Sequence, residues 1–300
     1  MSELTFGIQG EFTVSVIGPD GQVKESSTTK NLILDNLLEA IRAKSDASSI
    51  YYSTQTFRVG TGTTPPAASD LTLQSTLASR AVSSTPTQMA ITSDGTTWRT
   101  ESTTQTDFSV GAVVGNITEL GWFVAGMKPN TLTNEVYSRT LIKDSQGNPT
   151  TLTVTSTDVL RVSYKLVMTG PDADVTGTLT LAGNSYNYTI RRPTPSVVAV
   201  WAFLDGSSAS GNAAYVGGTF GAAGQNPSGG TQLTATVLFE QGASAGERRF
   251  TITVPTNVNG SAGISMILLG NYMKIQFSPA VPKTTDDALK LLVNYTIART

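Results

Sequence analysis

The sequence predicts an all-β fold: mainly strands with one short amphipathic helix, arranged as two β-sandwich or jelly-roll-like domains. Three observations carry this. Apolar and polar residues alternate with period two in one segment after another, the pattern of half-buried strands. Gly, Pro, Asn and Asp interrupt these segments at roughly 8–15-residue intervals, with no helix between most strands. Only residues 31–43 switch to helical spacing.

Composition fits such a fold and excludes several chemistries. The hydrophobic share of 39% supports a folded core, while charge stands at 14%, below the roughly 25% of an average protein. Thr and Ser fill the difference. The 20 basic and 22 acidic residues leave a net charge of −2, so no single-sign field recommends nucleic acid or an anionic membrane as partner. There is no Cys and no His. Disulfides, thiolate sites, Ser-His-Asp triads and zinc hydrolases are thereby excluded. The longest apolar run, Val197 to Leu204, falls short of the about 20 residues that span a bilayer. Met1-Ser2-Glu3-Leu4 lacks the basic and apolar segments of a signal peptide. The expectation is a soluble product of the cytoplasm, with no cofactor, no metal and no membrane insertion.

The elements follow in order. Phe6 to Val16 alternates strictly and ends at Gly18-Pro19-Asp20-Gly21, a turn in which Pro fixes φ and Gly accepts a positive φ. In 31–43, Leu34, Leu37, Leu38 and Ile41 fall at i, i+3, i+4 and i+7. Thr29 or Asn31 suits the start of that helix, Arg42 and Lys44 its end. Such a stripe packs on a sheet. Phe57 to Pro66 reads as a strand running into a rigid loop. Its Gly60-Thr61-Gly62 lacks the third Gly, the Lys and the helix of a phosphate site. Thr96 to Val110 is an extended, Thr-rich segment polar on most positions of both faces, expected at a sheet edge or against another subunit. Asn116 to Phe123 re-enters the interior, and alternation resumes from Leu152 through Met168.

Thr169-Gly170-Pro171-Asp172 marks a boundary, giving domains of 1–168 and 169–300. Beyond it come a hairpin turning at Ala182-Gly183-Asn184, an apolar strand around Trp201, and a Gly/Ala/Ser stretch, Ser207 to Gly230, expected as a surface loop. A second hairpin pairs the Leu233–Phe239 run with Phe250–Val254. Strands near Met266 to Leu269 and Tyr272 to Phe277 follow, and a last one carries Leu289 to Ile297. The passages Thr157–Tyr164 and Asp286–Tyr295 echo one another. Either each half closes with a similar strand, or the second half is an insertion and the last strand returns to the first sheet. Two sequential domains are preferred.

Carboxylates are the remaining candidates for catalysis: Glu101, Glu119, Asp172, Asp174, Asp205, Glu240 and Glu247. Most lie in turn contexts, and none forms a pair suited to glycoside hydrolysis. Asp172 and Asp174 have the spacing of a calcium loop without its other ligands. Arg191-Arg192 and Arg248-Arg249 read as solvated strand ends, with a contact to an acidic neighbour as the alternative. Among aromatics, Trp201 sits in a core-like run. Tyr215 and Phe220, flanked by Gly, are the candidates for an exposed surface that stacks on sugar rings or meets a partner.

Taken together, several segments resemble tail-associated structural proteins of bacteriophages. These are the opening strand and turn, Asn31 to Leu38, Phe57 to Pro66 with Ser69-Asp70, Asn116 to Phe123, and the strands from Leu141 to Tyr164. The likeness covers about residues 5 to 168, the virion-anchoring part of tail fibre, collar or baseplate-appendage proteins. It implies a non-enzymatic role in the virion tail, a homo-oligomer (often a trimer), partners among other tail proteins, and attachment to the host. The chain is short, with no collagen-like or coiled-coil shaft and no His-x-His tip, which favours a compact collar or baseplate component. A carbohydrate-binding module for host surface glycans and a capsid decoration protein are the alternatives.

Overall fold

The computed structural model describes residues 4–43, 54–82, 87–88, 91–125, 134–192, 212–256, 260–270 and 273–300. Its elements are β1 (Leu4–Ile17), β2 (Val23–Lys30), β3 (Leu32–Ile33), α1 (Asp35–Ala43), β4 (Gln55–Gly60), β5 (Thr76–Val82), β6 (Thr87–Gln88) and β7 (Thr92–Ser93). Next come β8 (Thr97–Phe108), β9 (Gly115–Ile117), β10 (Glu119–Val124), β11 (Ser138–Leu141), β12 (Leu152–Val154), β13 (Val159–Pro171), β14 (Val175–Leu181) and β15 (Asn184–Arg191). The chain ends with β16 (Ala213–Val216), β17 (Thr231–Thr234), β18 (Thr236–Gln241), β19 (Glu247–Val254), β20 (Gly260–Leu269), β21 (Met273–Lys283) and β22 (Leu289–Arg299). The fold is all-β, with several sheets in sandwich-like layers and one helix among the described residues.

A nine-stranded sheet runs β18-β19-β22-β1-β13-β8-β6, with β2 also beside β1 and β7 also beside β8. The strict alternation of β1 puts Phe6, Ile8, Phe12, Val14 and Val16 on one face, all buried. That face receives both other large sheets. The five-stranded sheet β3-β11-β10-β4-β5 reaches it where Trp122 stacks on Tyr164, ring centroids 4.7 Å apart. The six-stranded sheet β14-β15-β21-β20-β16-β17 reaches it at a 20 Å³ cavity lined by Leu4, Phe6, Val175, Ile190 and Met273. Burial of these large apolar side chains supplies the main stabilisation.

The sheets do not divide at 168/169. That position falls inside β13, and β18, β19 and β22 from the second half belong to the same sheet as β1. The last strand returns to the first: β22 runs parallel to β1, from Leu4↔Tyr295 to Ile8↔Arg299. The two echoing passages, in β13 and β22, flank β1 on either side. Alternation tells which face is buried but not which distant strand is the neighbour.

Three further expectations need correction. The helix starts at Asp35 rather than 31, because Leu32 and Ile33 pair with Arg139 and Ser138 as β3. Its last carbonyls are capped from far along the chain: Gly246 N donates to Leu38 O, Arg248 Nη1 to Ile41 O and Gly242 N to Arg42 O. Strand β8 pairs with β13 along its whole length and buries one face, Thr100, Ser102, Thr104 and Thr106 included. Those hydroxyls are tolerated because the facing sheet brings polar partners: Gln55 Nε2 donates to Thr104 Oγ1 (2.8 Å) and Arg80 Nε to Thr106 Oγ1 (3.0 Å). Its outer side does lie near an edge, where among the described residues the two-residue β6 and β7 pair with it. Finally, the Gly-rich stretch contains a four-residue strand, β16, which pairs with β17 and β20, while residues 217–230 are turns and irregular chain as expected and 207–211 lie outside the described residues.

Candidate docking site

Strand β10 is buried at every position, and Glu119 is the charge within it. A carboxylate removed from water needs donors on all sides. Its Oε1 accepts from Gly62 N (2.9 Å) and Ser75 N (2.8 Å), and its Oε2 from Gln74 N (3.1 Å) and Arg139 Nε (3.0 Å). Arg139 on β11 extends the network, donating through Nη1 to Asp70 Oδ2 (2.6 Å) and through Nη2 to Thr64 O (3.0 Å). Gln74 Oε1 takes Thr63 N and Thr64 N, and Asp70 takes Ala67 N. The Gly-x-Gly motif does cradle an anion, but the anion is Glu119. A Cβ on Gly62 would stand 2.3 Å from Oε1, and one on Gly60 2.4 Å from Ser75 O. Loop 61–75, with Pro65 and Pro66 at its tip, is thus fixed from inside.

A second fixed wall faces it. In the turn after β11, Asp144 Oδ1 accepts Gln146 N (2.8 Å) and Asn148 N (2.9 Å). The bond from Asn148 N, ahead of that from Gln146 N, holds the carboxyl below the usual carboxylate range. Between loop and turn lies a groove of about 460 Å³ whose apolar walls are Leu32, Leu141, Pro65, Pro66 and Pro149. Lys30 and Lys143 stand on its rim, and neither has a carboxylate partner among the described residues. At Lys143 the groove passes into a 580 Å³ depression rich in hydroxyls, with Ser26, Ser27, Thr28, Thr150 and Thr151, and with the carboxylates of Glu25 and Asp144 beside them. The arrangement can hold an extended segment by shape with little reorganisation, its positive charge confined to the groove rim at Lys30 and Lys143.

Tyr215 and Phe220, expected to be exposed, are buried in one small cluster with Ala213, Met266 and Leu268. Along β16, Ala214 faces the main core while Tyr215, on the opposite face, is buried in this separate cluster, and cations cover Phe220. Arg191 Cζ lies 4.9 Å and Lys274 Nζ 4.8 Å from its ring centroid. Neither ring offers an open face for stacking on a sugar. Lys274 is itself buried, and its ammonium donates to the carbonyls of Phe220 (2.8 Å), Gly221 (2.8 Å), Ala222 (2.6 Å) and Gln225 (2.8 Å). Burial first, then Arg191, pushes the amine down to about 8, against the pull of Asp174.

The other candidates are engaged elsewhere. Asp172 pairs with Arg192 (2.7 Å) and Asp174 with Arg191 (2.5 Å), so that doublet is tied to acids and not merely solvated. Arg248 is buried over Phe239, a second departure from the solvated expectation. Glu101 meets Arg99, Glu240 accepts Thr251 Oγ1, and Glu247 accepts Ala243 N and Ser244 N. Asp205 and Trp201 lie outside the described residues, as does Lys44. Among the described residues no three His, Cys, Asp or Glu side chains converge as metal ligands, and no helix is long and apolar enough to cross a membrane. Sequence reasoning missed Arg139, Gln74 and Lys274. For the first two a signal existed: Glu119 in an apolar run demands a buried partner. No family model, curated protein or solved structure matches the chain.

Proposed function

We propose that this chain is a non-enzymatic structural protein of a bacteriophage tail, a fibre, collar or baseplate appendage, that assembles with copies of itself and mediates attachment. Its N-terminal half meets a neighbouring tail protein through the groove between loop 61–75 and the 143–150 turn. The supporting observation is convergence. Segments that carry the resemblance, Phe57 to Pro66 with Asp70 and Asn116 to Phe123, are joined by the buried Glu119–Arg139–Asp70 network. Such a network costs desolvation and earns specificity of shape, as a docking surface requires. Lys30 and Lys143, which form no ion pair among the described residues, select a partner strand bearing carboxylates.

The test is immunogold labelling of virions whose genome encodes the chain, with binding of the purified chain to isolated tails. Label on tails, and tail binding weakened about tenfold or more by Lys30→Glu with Lys143→Glu, is the expected result. Label on heads would instead identify a capsid decoration protein, and unlabelled virions would defeat the proposal.

A further inference from the structure

We infer that two copies of this chain join edge to edge through β18, antiparallel about a two-fold axis at Leu238; this rests on the homo-oligomeric reading above. Strand β18 ends the nine-stranded sheet and pairs only with β19 among the described residues. An uncovered edge presents unpaired N–H and C=O groups, and proteins blunt such edges with Lys, Pro, bulges or brevity. The other outer strands show these devices. β2 carries Lys24 and Lys30, β5 carries Arg80, and β6, β7 and β17 are two to four residues long. β14 lacks a charge, but its Leu179 and Leu181 pack on the core and it exposes threonines.

Strand β18 has no Lys, Arg, Pro or register shift, and its one charge, Glu240, lies near its end. It reads Thr-Val-Leu-Phe-Glu-Gln, and its register with β19 is unbroken from Thr236↔Thr253 to Gln241↔Arg248. Val237 and Phe239 turn to the core, so Leu238 turns outward and is 63% exposed. One row further in, beyond Thr251 on β19, stands Leu292 of β22 at 51%. Two exposed leucines thus lie in line across the outer face, ending at an edge that no described strand covers.

The register selects a second copy as occupant. In an antiparallel self-pair centred on Leu238, that residue faces its own copy, Val237 faces Phe239, and Thr236 faces Glu240. Apolar meets apolar, no like charges oppose, and the Glu240 carboxylate is already drawn onto the Thr251 hydroxyl. The joined sheets form one continuous sheet with Leu238 covered.

Sedimentation of the full chain across a concentration series tests this, with Leu238→Lys and Leu238→Thr beside wild type. A lysine on the axis would face its own copy, a like-charge pair. The expected result is a wild-type dimer whose dissociation constant rises at least about tenfold in Leu238→Lys and less in Leu238→Thr. Amide exchange in β18 should slow with concentration most in wild type, less in Leu238→Thr and least in Leu238→Lys. Self-association unchanged in both variants would overturn the β18 interface and leave the homo-oligomeric reading standing. A wild-type monomer at every concentration would remove both. Because Leu238→Thr keeps a strand-forming side chain at an exposed position, it remains informative should Leu238→Lys fail to fold.

Discussion

Glu119 in the five-stranded sheet and Lys274 in the six-stranded sheet are both fully buried charges that fasten a loop, and they do so differently. Glu119 has a countercharge, Arg139, and three backbone amides. Lys274 is held by four carbonyl oxygens and a ring face, and cations stand nearby at Arg191 and Arg192. Full opposite charge fixes loop 61–75 against rigid strands. Carbonyl dipoles, with burial and Arg191 outweighing Asp174, leave the lysine with a lowered pKa, so its protonation against residues 220–225 varies with pH. The first is a permanent wall for the groove, the second a clasp sensitive to pH.

The largest expected effect is at the wall. Glu119→Ala strands the amides of Gly62, Gln74 and Ser75 and leaves Arg139 with Asp70 and the Thr64 carbonyl, a loss of about 3–5 kcal/mol by the usual cost of breaking a buried pair. Urea unfolding reads it as a lower midpoint at constant slope. Glu119→Gln, which keeps acceptor oxygen, should lose less. A loss under about 1 kcal/mol for Glu119→Ala would mean the network is no stronger than a surface pair, and the contrast would collapse.

Lys274→Met comes next, at about 2 kcal/mol, because the freed carbonyls sit in a loop that can turn them toward water. Its pH dependence distinguishes the two fastenings. The folded amine titrates near 8 and the unfolded one near 10.5. Between those values the unfolded chain holds the extra proton, so rising pH favours the folded state. The stability of wild type relative to Lys274→Met should therefore increase from pH 8 to 10 in urea titrations. Buried Tyr137 and Tyr164, whose phenols are held protonated above their ordinary range by desolvation, act in the opposite direction above pH 10 in both proteins. A difference that stays flat from pH 8 to 10 would show that Lys274 is as fixed as Glu119.

The sequence reveals this contrast only in part. Strands β1, β13, β15, β19 and β22 are legible because period-two alternation directly records one buried face. The hairpin at Ala182-Gly183 is legible because both residues take positive φ, 48° and 79°, as a tight two-residue turn requires. Partners distant in sequence are not. Nothing local tells β22 to lie beside β1, or the threonines of β8 that Gln55 and Arg80 await them. The groove is half readable, since Pro65-Pro66 declares a stiff loop and Glu119 declares a need. That Arg139 answers it follows only from the pairing of β10 with β11. For Phe220 the flanking glycines suggest exposure, whereas the ring is shielded by Lys274 from another strand.

A third buried charge, with an exposed partner, sharpens the comparison at its small end. Asp158 is 1% exposed and accepts Lys24 Nζ (2.6 Å), Thr155 N (2.9 Å) and Thr155 Oγ1 (2.7 Å), but Lys24 is 45% exposed. Lys24 first, then Thr155, lowers the carboxyl to about 2 from 3.8. The folded state thus prefers the carboxylate more than the unfolded chain does. The stabilisation is present above pH 4 and is lost as pH falls toward 2. Asp158→Asn should leave the unfolding midpoint nearly unchanged at pH 2 and lower it slightly at pH 6, flattening one part of the acid limb. Asp94, lowered to about 2 chiefly by the amide of Thr97 and then that of Thr96, contributes to the rest, together with Asp107, Asp144, Asp172 and Asp174, each held below the usual range. If Asp158→Asn instead cost as much at pH 6 as Glu119→Ala, backbone and hydroxyl donors would be doing what the comparison assigns to Arg139, and countercharge would not be what separates a wall from a clasp.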